Sequence, residues 1–468
     1  MAERKSSLTR GQLGWVFWDW AGQPYFTLVT TFIFFPYFVG GFVADPSRGQ
    51  ALLGYTLGIT GVVIAIASPV MGAMADSMGR RKPWIFSFSV VFVVSSTGLW
   101  FAAPGHTEWI FPILALIAVS SFAMESAIVF YNAMLPGIVS DDRIGRLSGL
   151  GWAMGYLGGL VSLTIILWAF SLPAQFDWPF LPSDPLFGLD ARSYQPDRIS
   201  APFSALWFAL FSLPLFIFTA DEPNRGVGLA QAAKSGLRQL IDTMRQLRSY
   251  GNILIFLLAR MIFNNGLNAI FAFGGVYAAG IFGWTVLQLG LFGILLTVVA
   301  ALSAFLGGYC DDRFGSKPTI IAALTLLGFA TLGIASITST SILFLIDVSP
   351  PAVDRPLFGS IQEMLYLACG VLVGIAVGPA QAASRTLMAR LAPRAMITEF
   401  FGLYALSGKM VGFLAPTAVA VATDIWNAQQ AGIVAIILFI FAGLGLMIPV
   451  REVRAEAVAT SAGNAAFR

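Results

Sequence analysis

The sequence predicts an all-α membrane protein with twelve transmembrane helices, arranged as two pseudo-symmetric six-helix bundles. Three observations support this fold class: an apolar composition, a positive charge that alternates from loop to loop, and an internal repeat. Of the 468 residues, 57% are hydrophobic and 11% are charged, whereas soluble domains carry about 25% charged residues. A soluble protein could not bury this much apolar surface in its core, so we expect the surface to face a lipid bilayer.

Twelve apolar runs are each long enough to cross about 30 Å of hydrocarbon as a helix. They cover residues 14–43, 52–75, 83–103, 109–133, 149–172, 203–220, 252–280, 286–309, 318–338, 357–383, 398–422 and 429–449. The first run continues from Trp15 to Val43, which is longer than the apolar core of a signal peptide. We therefore expect it to be retained as span one.

The loop charges predict the orientation of these spans. Most of the 27 lysines and arginines lie in alternate loops, on the side of the N-terminus. The loops of the other side hold Arg48, Arg192, Arg198 and Arg355. Because positively charged loops stay cytoplasmic, both termini are predicted to be cytoplasmic. We expect the membrane to be a bacterial inner (plasma) membrane.

One long cytoplasmic loop divides the chain. It is polar and carries Lys234, Arg238, Arg245 and Arg248 at near-helical spacing, which predicts either an amphipathic surface helix or a solvated linker. The resulting domains are an N-terminal six-helix bundle at 1–220, a cytoplasmic linker at 221–250, a C-terminal six-helix bundle at 251–450 and a cytoplasmic tail at 451–468.

A short motif occurs twice, after span two and after span eight. The first copy contains Gly72, Asp76, Gly79, Arg80 and Arg81, and the second contains Gly308, Asp312, Gly315 and Lys317. Each glycine and aspartate of the second copy lies 236 residues after its counterpart. Six spans separate the copies, which is typical of two parallel halves.

The residue types of this motif suggest what it does. The first glycine of each copy allows close helix packing, and the second permits the tight turn that ends the helix. Asp76 and Asp312 could each accept N–H bonds from the start of a neighbouring helix, where the helix dipole favours a negative charge. The alternative is a positively charged turn with no gating duty.

The first copy, Gly-x-x-x-Asp-x-x-Gly-Arg-Arg-Lys, resembles the loop 2–3 signature of the major facilitator superfamily. Three longer stretches, Trp18 to Tyr25, Phe130 to Gly159 and Gln381 to Lys409, resemble its vacuole-effluxer-like family, whose fungal members export amino acids from the vacuole. The resemblance implies that superfamily's fold, alternating access and a cytoplasmic latch at the motif. Ser316 replaces the first arginine in the second copy, and Gly22-Gln23 departs from the family pattern in span one.

Ionisable and amide side chains within spans are candidates for proton coupling or substrate binding. They are Asp19, Glu125, Tyr131, Asn132, Arg260, Asn264, Asn268, Gln381 and Lys409. Glu125 is the main proton-coupling candidate, because a carboxyl shielded from water titrates nearer neutrality; alternatively it pairs with Arg260 or Lys409. Lys409 could attract a substrate carboxylate. We interpret Glu363, near the outer end of span ten, as a wet rim residue.

Two further features of the spans have open interpretations. Asn264 and Asn268 share a helix face and either bind a neutral or zwitterionic solute or hold helices together. Small residues on span five, Gly151, Gly155 and Gly159, form a face suited either to sliding or to plain tight packing.

These features predict a secondary active transporter that moves a small solute by alternating access, as a proton symporter or antiporter; facilitated transport without coupling is the alternative. Amino acids are the cargo that the resemblance implies, while sugars, muropeptides and drugs stay open. The rival class is a polytopic membrane enzyme acting on a lipid-linked substrate. The single histidine, His106, has no metal-like partners in the sequence, and no basic run could follow a nucleic acid. We expect a monomer without metal or cofactor, and not an enzyme.

Overall fold

The computed structural model describes residues 8–43, 45–173, 178–245, 250–284, 286–351, 356–409, 411–412 and 414–452. These residues are overwhelmingly helical, and the strands among them are Ser341–Ile342 and Ile346–Asp347, which pair antiparallel. The predicted all-α membrane fold is therefore confirmed.

Eleven helical segments of the described chain are long and apolar enough to cross a membrane. They are Arg10–Phe42, Arg48–Met78, Lys82–Phe101, Thr107–Ile138, Ile144–Ser171, Gln195–Phe218, Gly251–Phe282, Gln288–Phe314, Ser316–Ala335, Ile361–Leu391 and Gln429–Met447. Each corresponds to one of the predicted spans. Below, each segment carries the number of its predicted span.

The count of twelve is not exact, because predicted span eleven (398–422) is not one long helix. It consists of Ile397–Lys409 and Leu414–Trp426, with a turn at 411–412. Glycine is a poor helix former, and Gly408 and Gly412 lie here. Pro416 also removes an N–H that would bond the carbonyl four residues earlier.

The chain forms two compact units. Unit one comprises 1–139, 154–240 and 395–405. Its core contains an aromatic stack in which the ring of Tyr131 lies 4.5 Å from Trp15 and 4.3 Å from Trp18, measured between ring centroids. The indole N–H of Trp15 donates to the carbonyl of Tyr131 at 3.1 Å. These contacts fix span one against span four.

Local sequence signals set the ends of the helices in unit one. Thr9 and Gln12 form a capping box at the start of Arg10–Pro24. The side chain of Asp45 accepts from the N–H of Arg48 at the start of Pro46–Met78, whose first residue is proline. This helix ends at Gly79, whose φ of 89° suits glycine and few other residues.

The linker contains a helix, Leu229–Arg245, which also belongs largely to unit one. Gly236 faces the backbone of span two so closely that an added Cβ would lie 2.8 Å from the Met74 nitrogen. Ala232 is fully buried, while Lys234 and Arg238 are exposed. The helical interpretation of the linker is therefore correct, with one face packed and a basic face outside.

Unit two comprises 140–153, 241–394 and 406–468. Its span eight ends at Gly315, with a φ of 104°, so the second glycine of the motif has a left-handed backbone in both copies. Span ten begins with a capping box in which Ser360 and Glu363 exchange hydrogen bonds.

Our interpretation of Glu363 as a rim residue is wrong. Its side chain is fully buried, and its carboxylate accepts from the indole of Trp284 at 2.8 Å as well as from Ser360. A carboxylate at the third helical position can satisfy N–H groups that would otherwise lack partners. Glu363 thus caps span ten instead of facing water.

Span five packs against span one through glycines, which gives a test of this interface. A Cβ at Gly158 would lie 2.5 Å from the carbonyl oxygen of Trp20, whereas at Gly155 the nearest atom, the Asp19 oxygen, would be 3.5 Å away. Overpacking a helix interface costs about 1–2 kcal/mol. We therefore expect Gly158→Ala to lower the melting temperature of the purified protein and Gly155→Ala to leave it nearly unchanged. Equal melting temperatures for the two variants would contradict this packing.

Candidate functional site

The aspartate of the first motif copy lies at the start of another helix. Asp76 is 3% exposed, and its carboxylate accepts from the N–H of Thr398 at 2.9 Å, the hydroxyl of Thr398 at 2.6 Å and the N–H of Glu399 at 2.9 Å. Thr398 and Glu399 belong to the first turn of Ile397–Lys409. The predicted capping geometry is confirmed for this copy.

Other motif residues of unit one hold the same contact. The guanidinium of Arg81 donates to the hydroxyl of Thr398 at 2.9 Å and lies 3.5 Å from Asp76. A Cβ at Gly72 would lie 2.5 Å from the carbonyl oxygen of Thr398, so only glycine allows this approach. Arg80 in contrast is exposed.

The second copy repeats this arrangement within unit two. Asp312 accepts from the N–H groups of Gly145 at 2.7 Å and Arg146 at 3.1 Å, at the start of Ile144–Ile166. The guanidinium of Arg146 also lies 3.0 Å from Asp312. A Cβ at Gly308 would meet the Gly145 oxygen at 2.6 Å. The capping geometry is therefore confirmed for both copies.

An ionic cluster beside the second copy was not predicted. Arg390, near the end of span ten, contacts the carboxylates of Asp311 at 2.6 Å and Glu452 at 2.9 Å. The hydroxyl of Ser316 donates to Asp311 at 2.8 Å, and Arg390 lies 3.7 Å from Asp312. Arg390 thus supplies the guanidinium that Arg81 supplies beside Asp76, whereas the ammonium of Lys317 donates to the carbonyl of Ile448. The only sequence signal was a basic residue in the Gln381–Lys409 stretch.

A second repeated feature caps the helices that follow the motifs. In unit one, the carboxylate of Asp221 accepts from the N–H groups of Arg81 and Lys82, both at 3.0 Å. In unit two, Glu452 accepts from those of Ser316 at 2.9 Å and Lys317 at 2.8 Å. Each motif is therefore held by a carboxylate that follows the last span of its half.

The loop before Ile144–Ile166 adds charges close to the second motif. Asp141 pairs with Arg394 at 3.3 Å, and both side chains are exposed. A hydrogen bond from Ser140 is the main cause that lowers the pKa of Asp142, with a smaller effect from Arg143. Asp142 thus stays negatively charged well below neutral pH.

The candidate residues of unit one lie on spans one and four. Asp19 is half-buried and faces Gly155 of span five. Glu125 is half-buried, one turn beyond Ser121, and the hydroxyl of Ser121 lies 2.8 Å from that of Tyr25. Tyr131 and Asn132 are buried, and the Tyr131 ring belongs to the aromatic stack described above.

In unit two, Arg260 of span seven contacts the end of the helix Ile397–Lys409. Arg260 is buried and donates to the hydroxyl of Ser407 at 2.9 Å. A Cβ at Gly408 would lie 3.1 Å from the same guanidinium nitrogen. Lys409 ends this helix, and its side chain lies outside the described residues. Arg260 thus packs on the glycine surface that precedes Lys409.

Asn264 and Asn268 share a helix face of span seven but differ in exposure. Asn264 is buried and Asn268 is exposed, one turn further along span seven. Asn265 is buried and donates to the carbonyl of Met261 at 2.8 Å, while Gln381 is half-buried in span ten. Within the described ranges, no group of three or more His, Cys, Asp or Glu could hold a metal ion.

Comparisons of sequence find relatives along nearly the whole chain. A family model described as "Vacuole effluxer Atg22 like" matches residues 37–460. The chain is 25% identical over 455 residues to the uncharacterized MFS-type transporter YxiO of Bacillus subtilis, covering 95% of each chain. It is 26% identical over 314 residues to autophagy-related protein 22 of Cryptococcus neoformans, covering 65% of this chain and 49% of that protein. The match therefore spans about half of this fungal relative.

Solved structures share the fold. The major facilitator superfamily transporter FucP, in the outward conformation, gives a TM-score of 0.68 at 11% identity and covers 95% of this chain and 99% of that one. The proton:xylose symporter XylE gives 0.65 at 14% identity, with 95% of both chains covered. At these identities the likeness concerns the fold alone.

Proposed function

Because the chain belongs to the Atg22-like vacuole effluxer family and has the major facilitator fold, we propose that it moves amino acids by alternating access in exchange or symport with protons. The resemblance noted from the motifs is thereby confirmed at the level of the family. Family and fold identify an MFS-type transporter in a membrane, not an enzyme. The solute, the proton and the site residues are our proposal.

The observation that carries alternating access is the pair of aspartate caps. Asp76 joins a helix of the first half of the sequence to Thr398 of the second half, and Asp312 joins the second half to Gly145 of the first. Hydrogen bonds to a charged group contribute about 1.5–3 kcal/mol. Such contacts are strong enough to favour the state in which both aspartates cap their helices. They are also few enough to be broken during a transport cycle.

We assign the solute carboxylate and the coupling proton to different residues. A buried arginine suits a carboxylate, because its guanidinium presents several N–H donors in one plane; Arg260 and Asn264 take this role. Glu125 takes the coupling proton, since it lies within span four beside a hydroxyl cluster formed by Ser121 and Tyr25.

We place the protein as a monomer in a bacterial inner membrane, with both termini cytoplasmic. The alternation of loop charge supports this orientation, and the Bacillus relative supports this membrane. The fungal relatives are named for autophagy, so the family also contains members of another compartment.

Transport by the purified protein in proteoliposomes tests this function directly. With one proton per solute, a gradient of one pH unit can drive about tenfold accumulation. We expect radiolabelled amino acids, supplied one at a time, to accumulate when the gradient is imposed in one direction and to equilibrate without it. Protein-free liposomes and a proton ionophore are the controls. Uptake of sugars but of no amino acid would reject the proposed cargo, and uptake that ignores the gradient would reject proton coupling.

A further inference from the structure

A cleft of about 490 Å³ opens in unit one beside the first motif, where span three begins and span six ends. The residues of its wall that matter here are Arg80, Lys82, Phe86, Phe216, Asp221 and Glu222. One end of the cleft is charged and the other is aromatic. None of these residues contributes to the solute or proton roles assigned above.

The charged end has unused hydrogen-bond donors. Arg80 is exposed and makes no hydrogen bond or ion pair within the part of the chain that the structure describes. The ammonium of Lys82 donates to the carbonyl of Phe216 at 3.0 Å, which leaves two of its three N–H groups for another partner. Both cations can therefore bind an anion placed in the cleft.

The two carboxylates of the cleft are already engaged. That of Asp221 accepts from the N–H groups of Arg81, Lys82 and Glu222, so the helix start offsets its charge. That of Glu222 lies 3.7 Å from the guanidinium of Arg81. The groups of the cleft that can still bind a ligand are therefore the N–H donors of Arg80 and Lys82, not the carboxylates.

The aromatic end continues into an apolar strip on the membrane surface of span three. The rings of Phe86 and Phe216 pack edge to face, 5.7 Å apart, and Phe86 is 58% exposed. Val90 and Val94 follow at four-residue intervals on the same helix face, and both are exposed. This strip is about two helical turns long, roughly 12 Å, and suits part of an acyl chain.

We propose that this cleft binds an anionic phospholipid of the predicted cytoplasmic leaflet. Its phosphate contacts Arg80 and Lys82, and one acyl chain lies along Phe86, Val90 and Val94. Basic side chains at the membrane surface attract anionic lipids, and the adjoining apolar strip distinguishes a lipid from a soluble anion. The second motif copy lacks the cation, because Ser316 stands at the position of Arg80 and is fully buried.

Native mass spectrometry of the purified full-length protein tests this site. We expect phosphatidylglycerol to be retained in preference to phosphatidylcholine, and Arg80→Gln to reduce that preference about fivefold, the effect of one basic side chain at an anionic surface. Arg313→Gln is the matched control, since Arg313 is an exposed arginine at the corresponding end of span eight. Arg80→Lys should keep the preference.

A second variant tests the acyl strip and remains informative if Arg80→Gln folds poorly. Phe86→Ala removes an exposed ring, so the fold should survive while retention of phosphatidylglycerol falls. Glycerol 3-phosphate should not compete with the lipid, because it lacks an acyl chain. Equal retention of the two lipids, an unchanged preference in Arg80→Gln, the same loss in Arg313→Gln, or full competition by glycerol 3-phosphate would each overturn the proposal.

Discussion

Replacing Glu125 with glutamine is expected to abolish accumulation of solute driven by a pH gradient, while exchange of solute across the membrane continues. Glutamine keeps the size and much of the hydrogen bonding of glutamate but cannot release or take up a proton. Glu125 lies inside span four, half-buried, where a carboxylate is costly unless it has a task or a partner. If it carries the coupling proton, its neutral replacement should move solute without moving protons.

The measurement is uptake of labelled solute into proteoliposomes, with a pH gradient and, separately, with unlabelled solute inside. Glu108→Gln provides a matched control, because Glu108 is an exposed carboxylate at the outer end of the same span, paired with His106. We expect the control to accumulate solute like the wild type. Normal gradient-driven accumulation by Glu125→Gln would exclude Glu125 as the coupling group.

Replacing Asp76 with asparagine should release the contact between span two and the start of Ile397–Lys409. Asparagine keeps one oxygen, but its amide N–H₂ would face the N–H groups of Thr398 or Glu399, and the favourable charge at the helix start is lost. Losing one to two hydrogen bonds to a charged group amounts to about 3 kcal/mol. This free energy would shift the population of the latched state about a hundredfold.

A cysteine at position 68 reports on this contact. Ser68 is fully buried, and a Cβ at Gly402 would lie 2.7 Å from its carbonyl oxygen, so a thiol there becomes reachable only when Ile397–Lys409 moves away. In a background with Cys310 and Cys369 changed to serine, we expect Asp76→Asn to raise the rate of maleimide labelling at Ser68→Cys by about a hundredfold.

Asp45→Asn serves as the control for this experiment, because Asp45 caps the opposite end of the same helix. It weakens that helix without touching Thr398, so the labelling rate should stay close to that of the reporter alone. Equal rates in the Asp76 and Asp45 variants would mean that the Asp76 contact does not hold the latch.

The parts of the fold that the sequence predicts are those with local or periodic signals. Apolar runs and alternating charge identify the spans, and the 236-residue offset identifies Asp76 and Asp312 as equivalents. An aspartate three residues before a glycine at the end of an apolar run is also a local pattern, so its capping role could be anticipated. These predictions depend on residues close together in the sequence or on a regular pattern along it.

The parts that could not be predicted depend on contacts between residues far apart in the chain. Arg390 meets Asp311 across 79 positions and Glu452 across 62, and no periodicity relates these three. The cap formed by Glu363 has a local signature in Ser360-x-x-Glu363 that our interpretation missed, but its contact with Trp284, 79 positions earlier, could not be predicted. Span eleven was predicted from the length of its apolar run, and that length does not show whether Gly408, Gly412 and Pro416 interrupt the helix.

The separation between Asp76 and its partner also matters for the synthesis of the chain. The N–H of Thr398 is 322 positions downstream of the carboxylate that accepts from it. At a translation rate of roughly 5–20 residues per second, the ribosome adds Thr398 about a quarter of a minute to a minute after Asp76. Throughout that interval span two is in place while Asp76 lacks the donors that later bury it, so the first half completes its hydrogen bonding only when the second half has almost been made.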